Sequence, residues 1–233
     1  LLDGLSQINP IIERTKELGM DALAITDHGV MYGAIKFYNA CKAAGIKPII
    51  GCEIYMAARS RFDKQPKLDK DQNHLVLLAK NLTGYKNLMQ IVTKAHLEGF
   101  YYKPRADMEL LKEHSEGLIA MTACVEGQVP NLIIQDNYQG AKEKAKELLD
   151  IFGDDFYLEV QKHPGLKVQE KANKGIIKLS RELGIPLVAT NDDHYIYKED
   201  AEAQDALLAL QTQKTINDTN RMSMIDIPDF YLK

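Results

Sequence analysis

Side chains that can bind metal ions follow several apolar runs of this sequence, at the points where those runs would leave a sheet. One such group alone is most often a local hydrogen-bonding residue. Four strands that deliver carboxylate, imidazole or thiol groups to one rim favour a metal site over strands that simply turn in solvent. The groups are Asp27-His28 after ALAIT, Glu53 within PIIGCEIY, Cys124 after LIAMTA, and Asp192-Asp193-His194 after LVATN.

This mixture of ligands indicates which ions the site would take. Histidine with aspartate and glutamate suits Zn²⁺, Mn²⁺ or Fe, and Cys124 adds a preference for a softer ion such as Zn²⁺. A cluster with this many oxygen and nitrogen ligands can hold more than one ion, and paired ions about 4 Å apart suit phosphoester hydrolysis. The sequence has no glycine-rich phosphate loop, no HExxH and no GxSxG motif.

Apolar runs alternate with amphipathic helical segments along most of the chain, which predicts βαβ units and a mostly parallel sheet. Six such units without a break in composition favour a barrel, although an open doubly wound sheet remains possible. Segment 57–73 is polar and aperiodic, which predicts a long mobile loop. Strands are predicted at 21–26, 46–57, 74–80, 117–124, 155–161 and 185–191, and helices near 32–44, 83–97, 126–152, 166–183 and 199–211.

Composition excludes several classes of protein. The 233 residues, 45% hydrophobic and 27% charged, suit one large globular domain or two small ones. The three cysteines form no CxxC pair, which argues against a disulfide framework and indicates a cytoplasmic protein. No apolar run approaches the roughly 18–20 residues that span a bilayer, so no membrane partner is expected. The net charge of -4 lacks the basic footprint of a stand-alone nucleic-acid binder.

Four stretches carry a resemblance to a known family: ALAITDHGVMYGAIKFYNACKAAGIKPIIGCEIY, HLVLLAKNLTGYKNLMQI, GFYYKPRADMELL and PLVATNDDHY. They closely resemble the amino-terminal PHP (polymerase and histidinol phosphatase) domain of bacterial DNA polymerase III α subunits. The resemblance covers essentially the whole chain. It implies an α/β fold, a distorted seven-stranded (β/α) barrel of the TIM type, with up to three Zn²⁺ or Mn²⁺ ions. Residues 1–211 would form the domain, and 212–233 a connector toward the polymerase palm.

The same resemblance assigns metal ligands by position. The family's first motif begins with an HxH pair before the first of them, and the sequence starts after that pair, so we expect the first strand and two ligands to be missing. His74 is assigned on resemblance alone, because it precedes its strand and a parallel strand would carry it to the opposite rim. The seven matching ligands are Asp3, His28, Glu53, His74, Cys124, Asp192 and His194, of which His28, Glu53, Asp192 and His194 are expected to take part in catalysis.

Other polar residues near the strand ends have weaker assignments. Lys103 and Arg105 of YYKPR could bind a phosphate, or could form a structural cap or ion pair. The family often has a pair similar to Glu159 and His163 outside its nine ligands, so this pair is expected to support the ligands or to face phosphate. Surface or local hydrogen-bonding roles are expected for Asp193, His96 and His114.

The resemblance implies that the parent protein synthesises DNA, with Mg²⁺ at palm carboxylates outside this sequence and with DNA and other replicase subunits as partners. Within the module it implies metal-dependent phosphodiester hydrolysis, as a 3′–5′ proofreading exonuclease. One alternative is a non-catalytic, metal-stabilised scaffold that braces the polymerase and docks a separate proofreading subunit. A small-molecule phosphatase is a weaker alternative, because YYKPRAD and NLTGYKNL resemble the polymerase branch.

Overall fold

The structure, a computed structural model, describes residues 4–70 and 72–233. Within them, seven strands form one sheet that is flanked by eight α-helices. The strands are Ala22–Ile25 (β1), Lys47–Ala57 (β2), Gln72–Ala79 (β3), Arg105–Ala106 (β4), Leu118–Met121 (β5), Phe156–Gln161 (β6) and Leu187–Thr190 (β7). The helices are Ile8–Glu17 (α1), Ala34–Ala44 (α2), Leu82–Leu97 (α3), Met108–His114 (α4), Gln128–Ile134 (α5), Tyr138–Phe152 (α6), Lys167–Leu183 (α7) and Ala201–Gln211 (α8).

The sheet has the strand order β1-β2-β3-β5-β6-β7, with β4 paired to β2. Its curled, mixed form confirms the α/β class and the distorted TIM-like barrel. The sheet is mostly parallel, as expected, but β3 runs antiparallel to both β2 and β5. A loop connects β2 to β3 without a crossover helix, and only a crossover connection would keep neighbouring strands parallel. The amino end of β3 therefore lies beside the carboxyl end of β2.

Helices on the sheet bury a large main core, beside which lie three smaller apolar clusters. In α7, for example, Ala172, Ile176 and Leu179 recur at helical spacing and are fully buried against it. Burying each large apolar side chain of this kind contributes about 1.5–3 kcal/mol. The helical stretch expected over 126–152 is divided into α5 and α6, because Asp136 has a left-handed φ of 62° and the Asn137 side chain caps α6.

The polar segment between β2 and β3 lacks regular structure, as predicted, but ion pairs anchor it. The buried Arg61 guanidinium lies 2.7 Å from Glu98 and 2.8 Å from Asp107. Arg59 lies 2.7 Å from the buried carboxylate of Asp69. Arg61 thus holds this segment, predicted to be mobile, against the end of α3 and the start of α4.

The last residues of the chain return to the sheet after an irregular stretch. The backbone N–H of His194 donates to the Phe230 carbonyl at 2.8 Å, and Tyr195 forms a parallel bridge with Tyr231. The proposed connector 212–233 therefore ends against the loop that follows β7. Among the described helices, none has the length and apolarity that crossing a membrane requires.

Candidate functional site

Three side chains converge where β1, β2 and β3 meet. The Glu53 N–H donates to the Asp27 carbonyl at 3.1 Å and the Gly29 N–H to the Glu53 carbonyl at 2.9 Å, so His28 pairs with Glu53 just beyond β1. His74 pairs with Tyr55, two residues further along β2. Because residues two apart on a strand share a face, these pairings direct all of these side chains to one side of the sheet.

The geometry of this group suits a metal ion. The Glu53 carboxylate Oε1 lies 2.6 Å from Nδ1 of His74 and 3.8 Å from Nδ1 of His28. One ligand atom from each of the three residues lies within 4.8 Å of the others. Two imidazoles and a carboxylate form a donor set that Zn²⁺ and Mn²⁺ accept. The residues present therefore fit the kind of ion that the sequence predicts.

The reversed direction of β3 accounts for the position of His74. A parallel strand would have carried it away from the rim, which is why the sequence pattern gave it no support. In the antiparallel pairing the start of β3 faces the end of β2, and the His74 N–H donates to the Glu126 carbonyl at 3.1 Å. The position of His74 is now explained, while its role as a ligand stays a prediction.

Cys124 adjoins this group, with its Sγ 3.8 Å from Nδ1 of His74. Burial raises the pKa of its thiol well above the usual value, and the negative charges of Asp192 and Glu53 raise it further. The thiol is therefore neutral at neutral pH unless a cation lies beside it. Metal binding at this cysteine would release a proton.

Asp192 and His194 form a second pair in the loop after β7, with Oδ1 and Nε2 3.4 Å apart. We expected them to face the same way because residues alternate along a strand. That reason is wrong, because β7 ends at Thr190 and Asp192 has a left-handed φ of 54°. Burial acts to raise the pKa of Asp192, but the hydrogen bond with His194 and the charges of His28 and His163 lower it overall.

Backbone strain is concentrated around this rim. Of five described non-glycine residues with positive φ, three adjoin the candidate site: Tyr102, Ala123 and Asp192. Such conformations are costly for residues with a Cβ and persist only where the surrounding structure enforces them. Ala123 directly precedes Cys124, and Asp192 belongs to the Asp192–His194 pair. The fold therefore holds strained backbone where it positions candidate ligands.

Glu159 lies buried behind the ligands, on β6. Its Oε1 accepts hydrogen bonds from the Thr190 hydroxyl and from the Gln161 amide at 3.2 Å, while its Oε2 has no hydrogen-bond partner among the described residues. Burial raises the pKa of this carboxyl to about 7, and the nearby Asp192 contributes in the same direction. In the sequence, the sign of this buried polar group is that Glu159 and Gln161 occupy alternate positions of an otherwise apolar strand.

His163 lies beneath the end of the chain and is almost completely buried. Its ring stacks on Phe230 with centroids 4.1 Å apart, and its Nδ1 lies 3.9 Å from Asp229. Burial lowers the pKa of His163. The sequence did not single out Phe230, because nothing local predicts that a residue 67 positions downstream of His163 returns to the site.

Arg105 is fully buried, and its guanidinium donates only to backbone carbonyls among the described residues. The acceptors are Gly99 at 2.9 Å, Asp69 at 3.2 Å, Arg61 at 3.1 Å and Asp63 at 2.8 Å. These bonds favour a structural role over the phosphate-binding role considered for this residue. Lys103 is exposed, with its Nζ 5.3 Å from the centroid of the Tyr55 ring, and stays a candidate for phosphate binding.

Three further residues singled out in the sequence are Asp3, Asp193 and His96. Asp3 lies outside the described residues. Asp193 is exposed and accepts from the Asn191 amide at 2.9 Å, consistent with a local hydrogen-bonding role. His96, which we expected at the surface, is half-buried, and its Nε2 lies 2.9 Å from the Gly29 carbonyl. That contact connects α3 to the loop that carries His28.

Comparison with known proteins identifies relatives of this chain. The PHP domain family matches residues 1–163. DNA polymerase III subunit alpha of Borreliella burgdorferi is 49% identical over 234 residues, which cover 100% of this chain and 20% of that protein. The Thermus aquaticus subunit is 46% identical, over 100% of this chain and 19% of that protein. The chain thus spans about a fifth of the length of these relatives.

A solved structure shares the fold at low sequence identity. An amidohydrolase from Chromobacterium violaceum is 14% identical, with a TM-score of 0.50 over 83% of this chain and 84% of that chain. That likeness bears on the architecture alone and agrees with the curled α/β sheet. The match over residues 1–163 covers more than half of the sequence. This chain belongs to the PHP domain family.

Proposed function

We propose that this chain is the PHP domain of a DNA polymerase III α subunit and acts as a metal-dependent phosphoesterase, a 3′–5′ proofreading exonuclease. The observation that carries the activity is the convergence of His28, Glu53 and His74, whose ligand atoms lie within 4.8 Å of one another. The match to the B. burgdorferi subunit over the whole chain supports the assignment to the polymerase.

The described ligands would hold Zn²⁺ or Mn²⁺, up to three ions in the complete domain. His28, Glu53 and His74 would hold one ion with Cys124 beside them, and Asp192 and His194 would contribute from the loop after β7. Bound metal supplies the acidity that generates hydroxide from water and the charge that stabilises the attacking and leaving oxygens. Asp192 would orient the His194 imidazole through their contact at 3.4 Å. Lys103 would bind phosphate.

For the parent protein we propose DNA synthesis, with Mg²⁺ at the palm, in the cytoplasm. Its partners would be DNA and other replicase subunits, including a proofreading exonuclease subunit. The net charge of this chain is -4, so DNA binding would depend on the metals and on local cations such as Lys103 rather than on a broad basic surface.

The test is hydrolysis of a mismatched primer end by the full-length protein with Mn²⁺ or Zn²⁺. The double variant Asp192→Asn plus His194→Ala should reduce hydrolysis by more than about 100-fold, since changing even the partners of ligands costs 10–100-fold. The matched control is Asp193→Asn, which changes an exposed carboxylate of the same loop. Undiminished cleavage by the double variant would overturn the exonuclease proposal.

A metal-stabilised scaffold is the second candidate. The observation that favours it is the packing of the chain end on the site, through Phe230 on His163 and the backbone bonds to His194. In that case chelation would lower the melting temperature of the full-length protein, while mismatch removal would be absent with every metal. Metal-dependent cleavage that the double variant abolishes would exclude the scaffold as the sole function.

A further inference from the structure

A cavity of about 190 Å³ lies beside the proposed metal cluster. Six of its lining residues matter here: His28, Tyr55, His96, Phe100, Tyr102 and Lys103. It is smaller than the pockets of roughly 300–1,000 Å³ that enclose drug-sized ligands, and it suits one planar ring system. Because His28 forms part of its wall, a molecule in this cavity would lie next to the candidate ligands.

Two aromatic side chains at this cavity are exposed. Tyr102 keeps 64% of its surface in solvent and Phe100 keeps 52%. The Tyr101 N–H donates to the Lys103 carbonyl at 3.0 Å, which closes a tight turn with Tyr102 at its tip, at a φ of 61°. Residues held in strained backbone conformations cluster at active sites and binding sites.

The segment that carries these rings is held in place before any ligand binds. The buried Arg105 guanidinium binds the Gly99 carbonyl at 2.9 Å, and so connects the two ends of segment 99–105. A Cβ on Gly99 would come within 1.9 Å of the Arg105 carbonyl oxygen, so the two ends touch. A fixed surface loses little conformational entropy on binding, which favours affinity.

A positive charge lines the same cavity as the exposed rings. The Lys103 ammonium is 5.3 Å from the centroid of the Tyr55 ring, and the His28 imidazole stacks on that ring, with the centroids 5.9 Å apart and the planes inclined by 19°. An anion held by Lys103 would therefore share this cavity with His28. Aromatic rings beside a cation suit a nucleotide, because its planar base can stack on the rings while its phosphate binds the cation.

We propose that Tyr102 and Phe100 form a stacking platform for the terminal base of a single DNA strand, whose phosphate is directed by Lys103 toward His28. This inference rests on the proposed function for the position of the scissile phosphate. Stacking accepts any base, because every base has a π face, and a site that removes mismatched ends must accept all four. The competing occupant of these rings is an apolar segment of another protein.

The first test locates the base without requiring hydrolysis. The full-length protein in EDTA is irradiated with oligothymidylate that carries a photo-cross-linking thymine analogue at its 3′ end, and the modified peptides are identified by mass spectrometry. We expect cross-links within 99–105. Tyr38→Ala, which removes an exposed ring of α2 outside the cavity, should leave them unchanged. Cross-links confined to other parts of the protein would overturn the platform.

The second test separates the platform from the exonuclease. KM is compared for oligonucleotides that end in thymine or in an abasic residue. Wild-type protein should favour the thymine end by about 5- to 150-fold, the range for loss of one stacked base. Phe100→Ala plus Tyr102→Ala should lose that preference and Tyr102→Phe should keep it. A double variant that keeps the preference refutes the platform but not the exonuclease. Cross-links within 99–105 without hydrolysis support the platform and count against the exonuclease.

Discussion

The ring of Phe230 stacks on the imidazole of His163, with the centroids 4.1 Å apart and the planes inclined by 26°. The same ring meets the edge of His194 at 5.9 Å and 84°. A residue at the end of the chain thus contacts two histidines of the candidate site. The segment expected to lead toward the polymerase palm is therefore part of the wall behind the Asp192–His194 pair.

Phe230→Ala should weaken both the fold and metal binding. Deleting a buried phenylalanine ring costs about 3–5 kcal/mol of unfolding free energy, because it leaves a cavity as well as losing burial. His194 also loses the ring that fixes its orientation, so the affinity for Zn²⁺ should fall about tenfold or more. Thermal unfolding and calorimetric titration with Zn²⁺ measure the two effects.

Ile225→Ala provides the control for Phe230→Ala, since Ile225 lies in the same segment but is partly exposed. It should change the unfolding free energy by much less and should leave Zn²⁺ affinity unaltered. If Phe230→Ala lowers stability but binds Zn²⁺ as the wild type does, Phe230 has no role in positioning His194.

Gly29→Ala should disturb the start of the site for two separable reasons. Gly29 has a φ of +65°, and an added Cβ would lie 2.9 Å from Pro104 and 3.2 Å from Tyr55. Gly19 has a similar φ of +70° but open space around it. Gly19→Ala should therefore cost only the conformational strain, about 1–2 kcal/mol. In chemical denaturation, Gly29→Ala should lower the unfolding free energy clearly more than Gly19→Ala does. Equal losses would show that Pro104 and Tyr55 can move away from the added Cβ without loss of stability.

Arg105→Lys should act mainly on stability. A lysine cannot reproduce the planar set of donors that reaches four carbonyls, and each buried acceptor left without a donor costs about 1–3 kcal/mol. The unfolding free energy should fall by about 3 kcal/mol or more. Urea denaturation measures this loss. Where the variant remains folded, the KM for DNA should rise less than in Lys103→Ala, because Arg105 acts on DNA binding only by connecting the ends of segment 99–105.

Lys103→Ala is the counterpart of Arg105→Lys in the same motif. Lys103 is exposed, so its removal should change the unfolding free energy by no more than about 0.5 kcal/mol. It should raise the KM for DNA, because the cation beside Tyr55 is lost. The opposite pattern, with Arg105→Lys affecting only KM and Lys103→Ala only stability, would restore the phosphate-binding role to Arg105.

The local sequence pattern predicted the features that depend on one strand or one helix at a time. His28 and Glu53 were identified because each lies at the end of an apolar run, and five predicted helical segments lie close to observed helices. The position of His74 could not be derived in this way, since the direction of β3 is set by its pairing with β2 and β5. A resemblance to a family supplied what periodicity could not.

Contacts between distant parts of the chain were beyond sequence reasoning. Arg105 and Lys103 have the same charge and nearly the same position, yet only one of them is buried. Nothing in YYKPR distinguishes them, because three of the four carbonyls that Arg105 binds come from the aperiodic segment between β2 and β3. Likewise the pair Asp192 and His194 was recognised, but the left-handed turn at Asp192 that brings them together was not.

Glu159 should make the metal-free protein less stable as pH rises through the acidic range. Burial raises its pKa from 4.5 to about 7 in the folded protein. Between these values the unfolded chain has lost the proton and the folded chain keeps it, so the folded state binds more protons and stability falls with increasing pH. The effect is absent below pH 4.5, complete above pH 7, and amounts to about 3 kcal/mol.

Glu159→Gln isolates this contribution, because the amide keeps an acceptor for Thr190 and Gln161 but does not ionise. Urea denaturation of both proteins in EDTA from pH 4 to 8 gives the difference in unfolding free energy between variant and wild type. That difference should grow in favour of the variant between about pH 4.5 and 7 and then level off. A difference that stays constant with pH would show that the Glu159 carboxyl ionises as easily in the folded protein as in the unfolded chain.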